Sequence, residues 1–414
     1  MTARFNTLAE WLAWQESHHP SAIDLSLERV RIVAERLGVL SPKARVITIA
    51  GTNGKGSCVA TLEALLSAAG KRFGAYTSPH FIRYNERVRL QGQPVTDAQL
   101  CDTFARIDEA RGDISLTYFE FGTLAAMDIF NREPLDYWLL EVGLGGRLDA
   151  VNIVAPNVAV ITSVAIDHEA WLGSTREVIG AEKAGICRAN APLVCADSAP
   201  PESVRNQVEQ LGCPALWWGK DFGVKDNTLW TSAGLKLSTA EVHLPLPSVA
   251  AAIQVCELEG CLPQAQLVNV IEAVQLTGRM QLLPAGNISL LLDVAHNPAS
   301  AEMLAAELKR RSFKPMPAII AVMADKDLKG VLAPLIPWVS HWHCVLLSDN
   351  PRAAQPDAVA TVLQQLQVSD KAITVGGTMA SAIDDLQQQD FAAQQALVFG
   401  SFFTVAEALS YCEG

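Results

Sequence analysis

This sequence predicts an α/β protein of two domains, and three observations carry that expectation. Short apolar or β-branched runs alternate with amphipathic stretches along the whole chain. The first run ends in a glycine-rich turn that opens a helix. With 414 residues, 50% of them hydrophobic, the chain is too long for one ordinary core and apolar enough to fill two.

The first run is Val46-Ile47-Thr48-Ile49-Ala50. From Ser57 the spacing becomes helical: Val59, Leu62, Leu65, Leu66 and Ala69 share a face, and Gly70 offers a stop. Tyr137 to Val142, Val158 to Val164, Ile288 to Val294, Ala318 to Met323 and Cys344 to Leu347 read as further buried strands. Continuous apolar strands separated by helices imply mostly parallel sheets covered on both faces. The breaker cluster Pro284-Ala285-Gly286-Asn287 reads as the domain boundary. Residues 1–284 would then form the larger domain and 285–414 a smaller, Rossmann-like α/β domain.

Acidic residues number 44 against 32 lysines and arginines, a net charge of −12. A nucleic-acid partner, which requires a basic face, is not expected. The nine cysteines are scattered and include no C-x-x-C pair, which suits free thiols in a reducing, cytoplasmic compartment. The stretch Met1 to Pro20 has no apolar signal region, and no run of about 18 uncharged apolar residues suggests a membrane span.

The turn after the first strand reads Gly51-Thr52-Asn53-Gly54-Lys55-Gly56-Ser57. Glycines let backbone N–H groups converge on phosphate oxygens, the lysine adds charge, and the following helix points its N-terminus at the anion. Strand, loop and helix in this order indicate a P-loop ATPase-type domain, with Thr52, Asn53, Gly54, Lys55, Gly56 and Ser57 at ATP. In the common loop a Ser or Thr directly follows the lysine and binds Mg²⁺. Gly56 stands there instead, so that hydroxyl must come from elsewhere.

Beyond the loop the chain carries Thr77-Ser78-Pro79-His80, Arg83-Tyr84-Asn85-Glu86-Arg87-Val88, Phe119-Glu120, and Glu141-Val142-Gly143-Leu144-Gly145-Gly146-Arg147-Leu148-Asp149. Asp167-His168, Glu182-Lys183-Ala184-Gly185-Ile186, Gly278-Arg279, Asp293-Val294-Ala295-His296-Asn297-Pro298 and Gly400-Ser401 follow in order. With these motifs the sequence closely resembles the bacterial bifunctional dihydrofolate synthase/folylpolyglutamate synthase family of the Mur-ligase superfamily. The resemblance runs from about Ile23 to the last helix.

The resemblance implies an ATP-dependent ligase. L-glutamate would be joined to 7,8-dihydropteroate, and to the γ-carboxylate of tetrahydrofolate or its polyglutamates, through an acyl-phosphate, with release of ADP and phosphate. It implies Ser78, Glu141 and His168 as ligands of Mg²⁺, expected as two ions, with Ser78 supplying the hydroxyl that Gly56 cannot. Of these, His168 is the least usual partner for a hard cation. Read alone, Lys183 is an ordinary lysine paired with a nearby acid; in the family it is carbamylated by CO₂ and acts with Lys55 and His296 in catalysis.

The resemblance further implies a dihydropteroate pocket made of Ile23, Asp24 and Leu25, of Thr117, Tyr118 and Phe119, and of Leu148, Asp149 and Ala150. Aromatic rings can stack on a flat pterin, and a carboxylate can pair with its amidine-like edge. It places Arg279 and Asp293 at ATP, and Arg87, His296 and Ser401 at the incoming glutamate. The expected partners are small molecules only, and a monomer is expected. Three positions depart from the family pattern. Val151 replaces a threonine, no asparagine stands near Leu246-Pro247-Ser248-Val249 where the adenine contact is usual, and Phe403 replaces a histidine. Competing readings are a ligase restricted to polyglutamate extension, a Mur ligase acting on a nucleotide-linked precursor, and a non-enzymatic nucleotide switch. The phosphate loop is reached by residue 51, which leaves little room for the extra N-terminal domain of a Mur ligase.

Overall fold

A computed structural model describes residues 3–21, 23–347, 350–389 and 394–413. The chain divides into two compact units, Met1–Val242 with Leu246–Val274, and His243–Pro245 with Gln275–Gly414.

In the first unit the chain runs α1 (Leu8–His18), α2 (Glu28–Leu37), β1 (Arg45–Ala50), α3 (Lys55–Ala68), β2 (Phe73–Tyr76), β3 (Val88–Leu90), β4 (Gln93–Pro94), α4 (Asp97–Arg111), α5 (Tyr118–Arg132) and β5 (Tyr137–Glu141). It continues through β6 (Val158–Ile161), α6 (Glu169–Leu172), α7 (Arg176–Ala184), β7 (Leu193–Cys195), α8 (Glu202–Leu211) and β8 (Ala215–Trp217). A small antiparallel sheet of β9 (Gly223–Lys225), β10 (Thr228–Trp230) and β11 (Lys236–Ser238) precedes α9 (Leu246–Leu258) and α10 (Leu267–Ala273).

The main sheet has eight strands in the order β4-β3-β2-β5-β1-β6-β7-β8. From β2 to β8 every pairing is parallel, and only β3 and β4 run antiparallel at the edge. Parallel strands need helices on both faces, and the burial follows: β5, β6 and β7 are buried at every position. Phe73, Phe104, Phe121, Phe130 and Trp138 are among the largest fully buried side chains. Truncating any one of these to alanine would cost roughly 3–5 kcal/mol.

The second unit holds β12 (Gln281–Ala285), β13 (Ile288–Asp293), α11 (Pro298–Arg310), β14 (Met316–Ile320), α12 (Leu328–Leu332), β15 (Val339–Cys344), α13 (Pro356–Gln365), β16 (Ile373–Val375), α14 (Met379–Gln387), β17 (Gln395–Phe399) and α15 (Phe402–Glu413). Its six-stranded sheet has the order β12-β13-β17-β14-β15-β16, parallel except for the β12–β13 hairpin.

That hairpin corrects the expected boundary. Pro284-Ala285 closes β12 and Gly286-Asn287 is the turn, with Gly286 at φ 60°, and the second unit already begins at Gln275. A linker and a tight turn use the same residue types, and only the pairing of Ala285 with Ile288 separates them. Other element bounds also differ, with β6 and β14 ending at Ile161 and Ile320 rather than Val164 and Met323. The helix after the phosphate loop starts at Lys55 rather than Ser57, and the strand expected at Cys344 to Leu347 is β15, which ends at Cys344. Among the described residues no helix is long and apolar enough to cross a membrane. All nine cysteines are free.

Candidate active site

In a parallel sheet the ligand groups gather at the carboxyl ends of the strands. Four segments singled out in the sequence leave the carboxyl ends of adjacent strands here: the phosphate loop after β1, Thr77-Ser78 after β2, Glu141 closing β5, and the turn toward His168 after β6. Register places Glu141 beside Ile49, and Tyr76 beside Leu140.

The phosphate loop is braced from β6. Thr52 N donates to Ser163 O at 2.8 Å and Asn53 N to Ser163 Oγ at 2.9 Å. Thr162 Oγ1 and Ser163 Oγ donate to Asn53 O at 2.7 and 3.0 Å. Gly54 has φ 87° and turns the chain directly into α3. A β-carbon on Gly51 would overlap Thr162 Oγ1, and one on Gly54 would overlap Ser248 Oγ, so both positions demand glycine on two counts. Lys55 Nζ folds back onto Gly51 O at 2.9 Å, across the loop it would neutralise. Ser57 Oγ is buried with no hydrogen-bond partner.

Ser78 and Glu141 are brought together, with Ser78 N donating to Glu141 Oε2 at 3.4 Å. His168 is exposed and sits in the left-handed region, φ 53°, at the N-cap of α6. Its backbone N–H is tied to the buried Asp167 carboxylate at 2.8 Å. Among the described residues no three His, Cys, Asp or Glu side chains are grouped to hold a metal by themselves. A carboxylate and a serine suit a hard cation that takes its remaining ligands from phosphates and water.

Lys183, on α7, is 3% exposed. Burial and the nearby Lys55 lower its pKa to about 7, against the opposing fields of Asp167 and Asp149. The sequence read alone favoured a charged lysine paired with an acid; acids do lie nearby, but burial leaves the amine neutral about half the time near pH 7.

The two segments expected to hold the acceptor, around Asp24 and around Thr117 to Glu120, meet through Arg29. Its Nη1 donates to Asp24 Oδ2 at 2.7 Å and its Nη2 to Glu120 Oε1 at 3.1 Å. Glu120 in turn closes the capping box of α5, accepting Thr117 N at 2.7 Å while Thr117 Oγ1 accepts Glu120 N at 3.2 Å. Ile23, Leu25 and Leu148 are half-buried, and Ala150 is buried. The Phe119 ring lies on the turn after β5, where a β-carbon on Gly143 would come within 2.5 Å of it. Tyr118 meets Tyr84 edge to face at 5.5 Å, and the Arg87 guanidinium lies over both rings. Arg87 Nε donates to His80 Nδ1 at 2.8 Å.

Asp149, expected at the pterin edge, also shapes its own turn. Its Oδ2 accepts the backbone N–H groups of Gly143 and Leu144, both at 2.9 Å, and its Oδ1 accepts that of Val151 at 3.0 Å. The carboxylate thus shapes the 143–151 turn, with Oδ1 accepting a single N–H group. Burial raises its pKa to about 6 despite these bonds.

In the second unit, Asp293 ends β13 and accepts Ala295 N and Met280 N at 2.9 and 3.1 Å. Burial raises its pKa. His296 Nδ1 lies 2.8 Å from Val294 O, a contact that needs a proton on Nδ1 and turns Nε2 away as the acceptor. The Arg279 guanidinium lies over the Phe402 ring at 5.5 Å. Ser401 is buried and caps α15, with its Oγ accepting Thr404 N at 3.0 Å and lying 2.7 Å from Thr404 Oγ1. Because Thr404 Oγ1 gives its own proton to Ala321 O, the Ser401 proton goes to Thr404. Only a lone pair remains for a ligand, so Ser401 can face an ammonium but cannot donate to a carboxylate. Phe403 is 54% exposed.

Sequence reasoning placed Arg29 only within the pterin-site stretch Ile23 to Val30, and gave no site role to His80, Thr162 or Ser163. The signal for the last two was their place just after β6, beside β1.

Comparison with known proteins extends this picture over the whole chain. The sequence pattern of the Mur ligase, glutamate ligase domain family matches residues 278–402. The dihydrofolate synthase/folylpolyglutamate synthase of Escherichia coli K12 is 41% identical over 410 residues, which cover 97% of this chain and 94% of that protein. That of Haemophilus influenzae is 38% identical, covering 97% and 96%. Among solved structures, E. coli FolC in complex with DHPP and ADP superposes with a TM-score of 0.91 at 39% identity, covering 100% of this chain and 99% of that one. The Yersinia pestis bifunctional folylpolyglutamate synthase/dihydrofolate synthase complexed with AMPPNP and Mn ion gives 0.90 at 39% identity, covering 100% of both. Since this likeness runs through both units and not through the glutamate-ligase domain alone, the chain belongs to the dihydrofolate synthase/folylpolyglutamate synthase family.

Proposed function

We propose that the chain is an ATP-dependent ligase that joins L-glutamate to 7,8-dihydropteroate, and to the γ-carboxylate of tetrahydrofolate or its polyglutamates. The observation that carries this reading is the likeness over the whole chain to bifunctional enzymes of that name, on a fold with a phosphate loop at the sheet's carboxyl edge. In the first step an acceptor carboxylate oxygen attacks the γ-phosphorus of ATP, and ADP leaves. In the second the glutamate amine attacks the acyl carbon, phosphate leaves, and the amine gives up a proton.

Lys55 and the amides of Thr52 to Ser57 hold the phosphates in this reading, and the loop braced by Thr162 and Ser163 keeps those donors converged. Ser78, Glu141 and His168 hold Mg²⁺, of which we propose two ions. When bound, the cation offsets the charge of the phosphates and the attacking carboxylate. In the second unit we assign Arg279 and Asp293 to the nucleotide, and His296 and Ser401 to glutamate. His296 can accept at Nε2, and Ser401 can accept from an ammonium. Arg87 is assigned to a glutamate carboxylate, its guanidinium oriented by His80.

Lys183 is assigned as a carbamate. Its neutral amine attacks CO₂, a nitrogen–carbon bond forms, one proton leaves, and the side chain becomes an anion beside Lys55. The acceptor lies against Ile23, Asp24 and Leu25, with Thr117, Tyr118 and Phe119, and with Leu148 and Ala150. Asp149 supports that wall through the turn it shapes. We propose a cytoplasmic monomer.

ADP release measured with glutamate plus either dihydropteroate or tetrahydrofolate tests the reading. ADP formation should require glutamate and occur with each acceptor. Release with tetrahydrofolate alone would reduce the function to polyglutamate extension, and release without any acceptor would overturn ligation.

A further inference from the structure

Asp24 and Glu120 stand far apart in sequence, one in each N-terminal folate segment, and one guanidinium holds both. Glu120 is 3% exposed, so losing Arg29 leaves a buried carboxylate without its cation, although the Arg29 and Asp24 side chains themselves reach solvent. The same carboxylate closes a capping box whose ends are Thr117 and Glu120. Tyr118 and Phe119 lie between those ends, so their backbone is fixed by it. Arg29 thereby couples the path of Ile23–Leu25 to the placement of the Tyr118 and Phe119 rings. His19 adds to the same end of the network, its Nε2 3.7 Å from Asp24 Oδ2.

We propose that Arg29 is a positioning residue for the folate acceptor, setting the spacing between the two segments that hold it. The inference rests on the reading that Ile23–Leu25 and Thr117–Phe119 form the acceptor pocket. A fork is required here, because Nη1 and Nη2 serve different carboxylates. The ammonium of a lysine is a single point and cannot replace both bonds.

The test is steady-state kinetics with each acceptor on three variants of the full chain. Arg29→Lys keeps the charge and removes the fork. Glu120→Gln keeps a residue able to close the capping box but removes the ion pair. Phe119→Leu probes the pocket itself. Arg29→Lys should raise the KM for dihydropteroate and tetrahydrofolate together, by about ten-fold, equivalent to about 1.4 kcal/mol of binding. Glu120→Gln should act in the same direction. Turnover at saturating acceptor and the KM for ATP should stay close to wild type. If Phe119→Leu raises acceptor KM while the other two variants lower only turnover or the unfolding midpoint, Arg29 merely holds the fold and the inference is overturned. If Phe119→Leu leaves acceptor KM unchanged, the pocket reading itself fails and the inference falls with it.

Discussion

Arg87 Nε donates to His80 Nδ1 across 2.8 Å, and that bond exists only while the ring nitrogen carries no proton. Burial, and then the Arg87 charge, lower the His80 pKa from 6.5 to about 4. Between those values the unfolded chain binds more protons than the folded one, so stability rises with pH. The contribution is complete above about 6.5 and is lost as pH falls through about 4. We expect His80→Gln, which keeps an acceptor but cannot titrate, to flatten the pH dependence. Urea midpoints at pH 5 and pH 7 should differ less for the variant than for wild type. Equal differences would remove His80 from the linkage.

Lys183 joins burial to chemistry. With its pKa at about 7, an amine near neutral pH is a nucleophile toward CO₂, whereas an ordinary lysine is almost wholly protonated. We expect isotopically labelled CO₂ to give a carbamate carbon resonance that is absent in Lys183→Ala. That variant should lose most turnover while ATP affinity changes little, because the phosphate loop remains. Formate or acetate should restore part of the rate. Full activity in Lys183→Ala, or an identical resonance, would end the carbamate assignment.

Much of this site could be read in the sequence because its parts are local. The strand, loop and helix from Val46 to Ser57 are contiguous, and the left-handed turn at Gly54 is a property of that residue. The fork of Arg29 was out of reach, since its partner Glu120 is separated by 91 positions and only the fold joins them. The turn-shaping role of Asp149 was out of reach for a related reason. A carboxylate in a glycine-rich turn suits a ligand as well as it suits the turn's own N–H groups, and only geometry shows that it serves the latter. Strand β15 was placed too late because the apolar run over its true span is broken by His341 and His343, the latter buried in the sheet.

Ser401 invites a separation of folding from binding. Its hydroxyl caps α15 and passes its proton to Thr404. Ser401→Ala should cost about 1 kcal/mol through the lost cap. Ser401→Thr keeps the hydroxyl and should lose clearly less. If the hydroxyl's free lone pair also faces the glutamate ammonium, Ser401→Ala raises the KM for glutamate and leaves those for ATP and folate alone. Urea unfolding and glutamate titration read the two effects independently. A change in folate KM with none for glutamate would contradict the assignment.

The phosphate loop permits the sharpest division of causes, because two different physical effects demand glycine at residue 54. Its φ of 87° is costly for any residue with a β-carbon, and that β-carbon would also overlap Ser248 Oγ. Gly54→Ala should therefore depress both ligase activities by the same factor, as should Lys55→Ala, since one loop serves both reactions. Ser248→Ala removes the overlapping oxygen, and the next atom, Ser248 Cβ, lies 3.8 Å from the added methyl, an ordinary contact. The double variant Gly54→Ala/Ser248→Ala should thus recover part of the ATP affinity. What stays lost is the left-handed backbone strain, roughly 1–2 kcal/mol, or about ten-fold. ATP binding by the two proteins, measured calorimetrically, checks this. Equal loss in the single and double variants would show that backbone strain alone sets the requirement. Unequal loss of the two activities would mean that they do not share the loop.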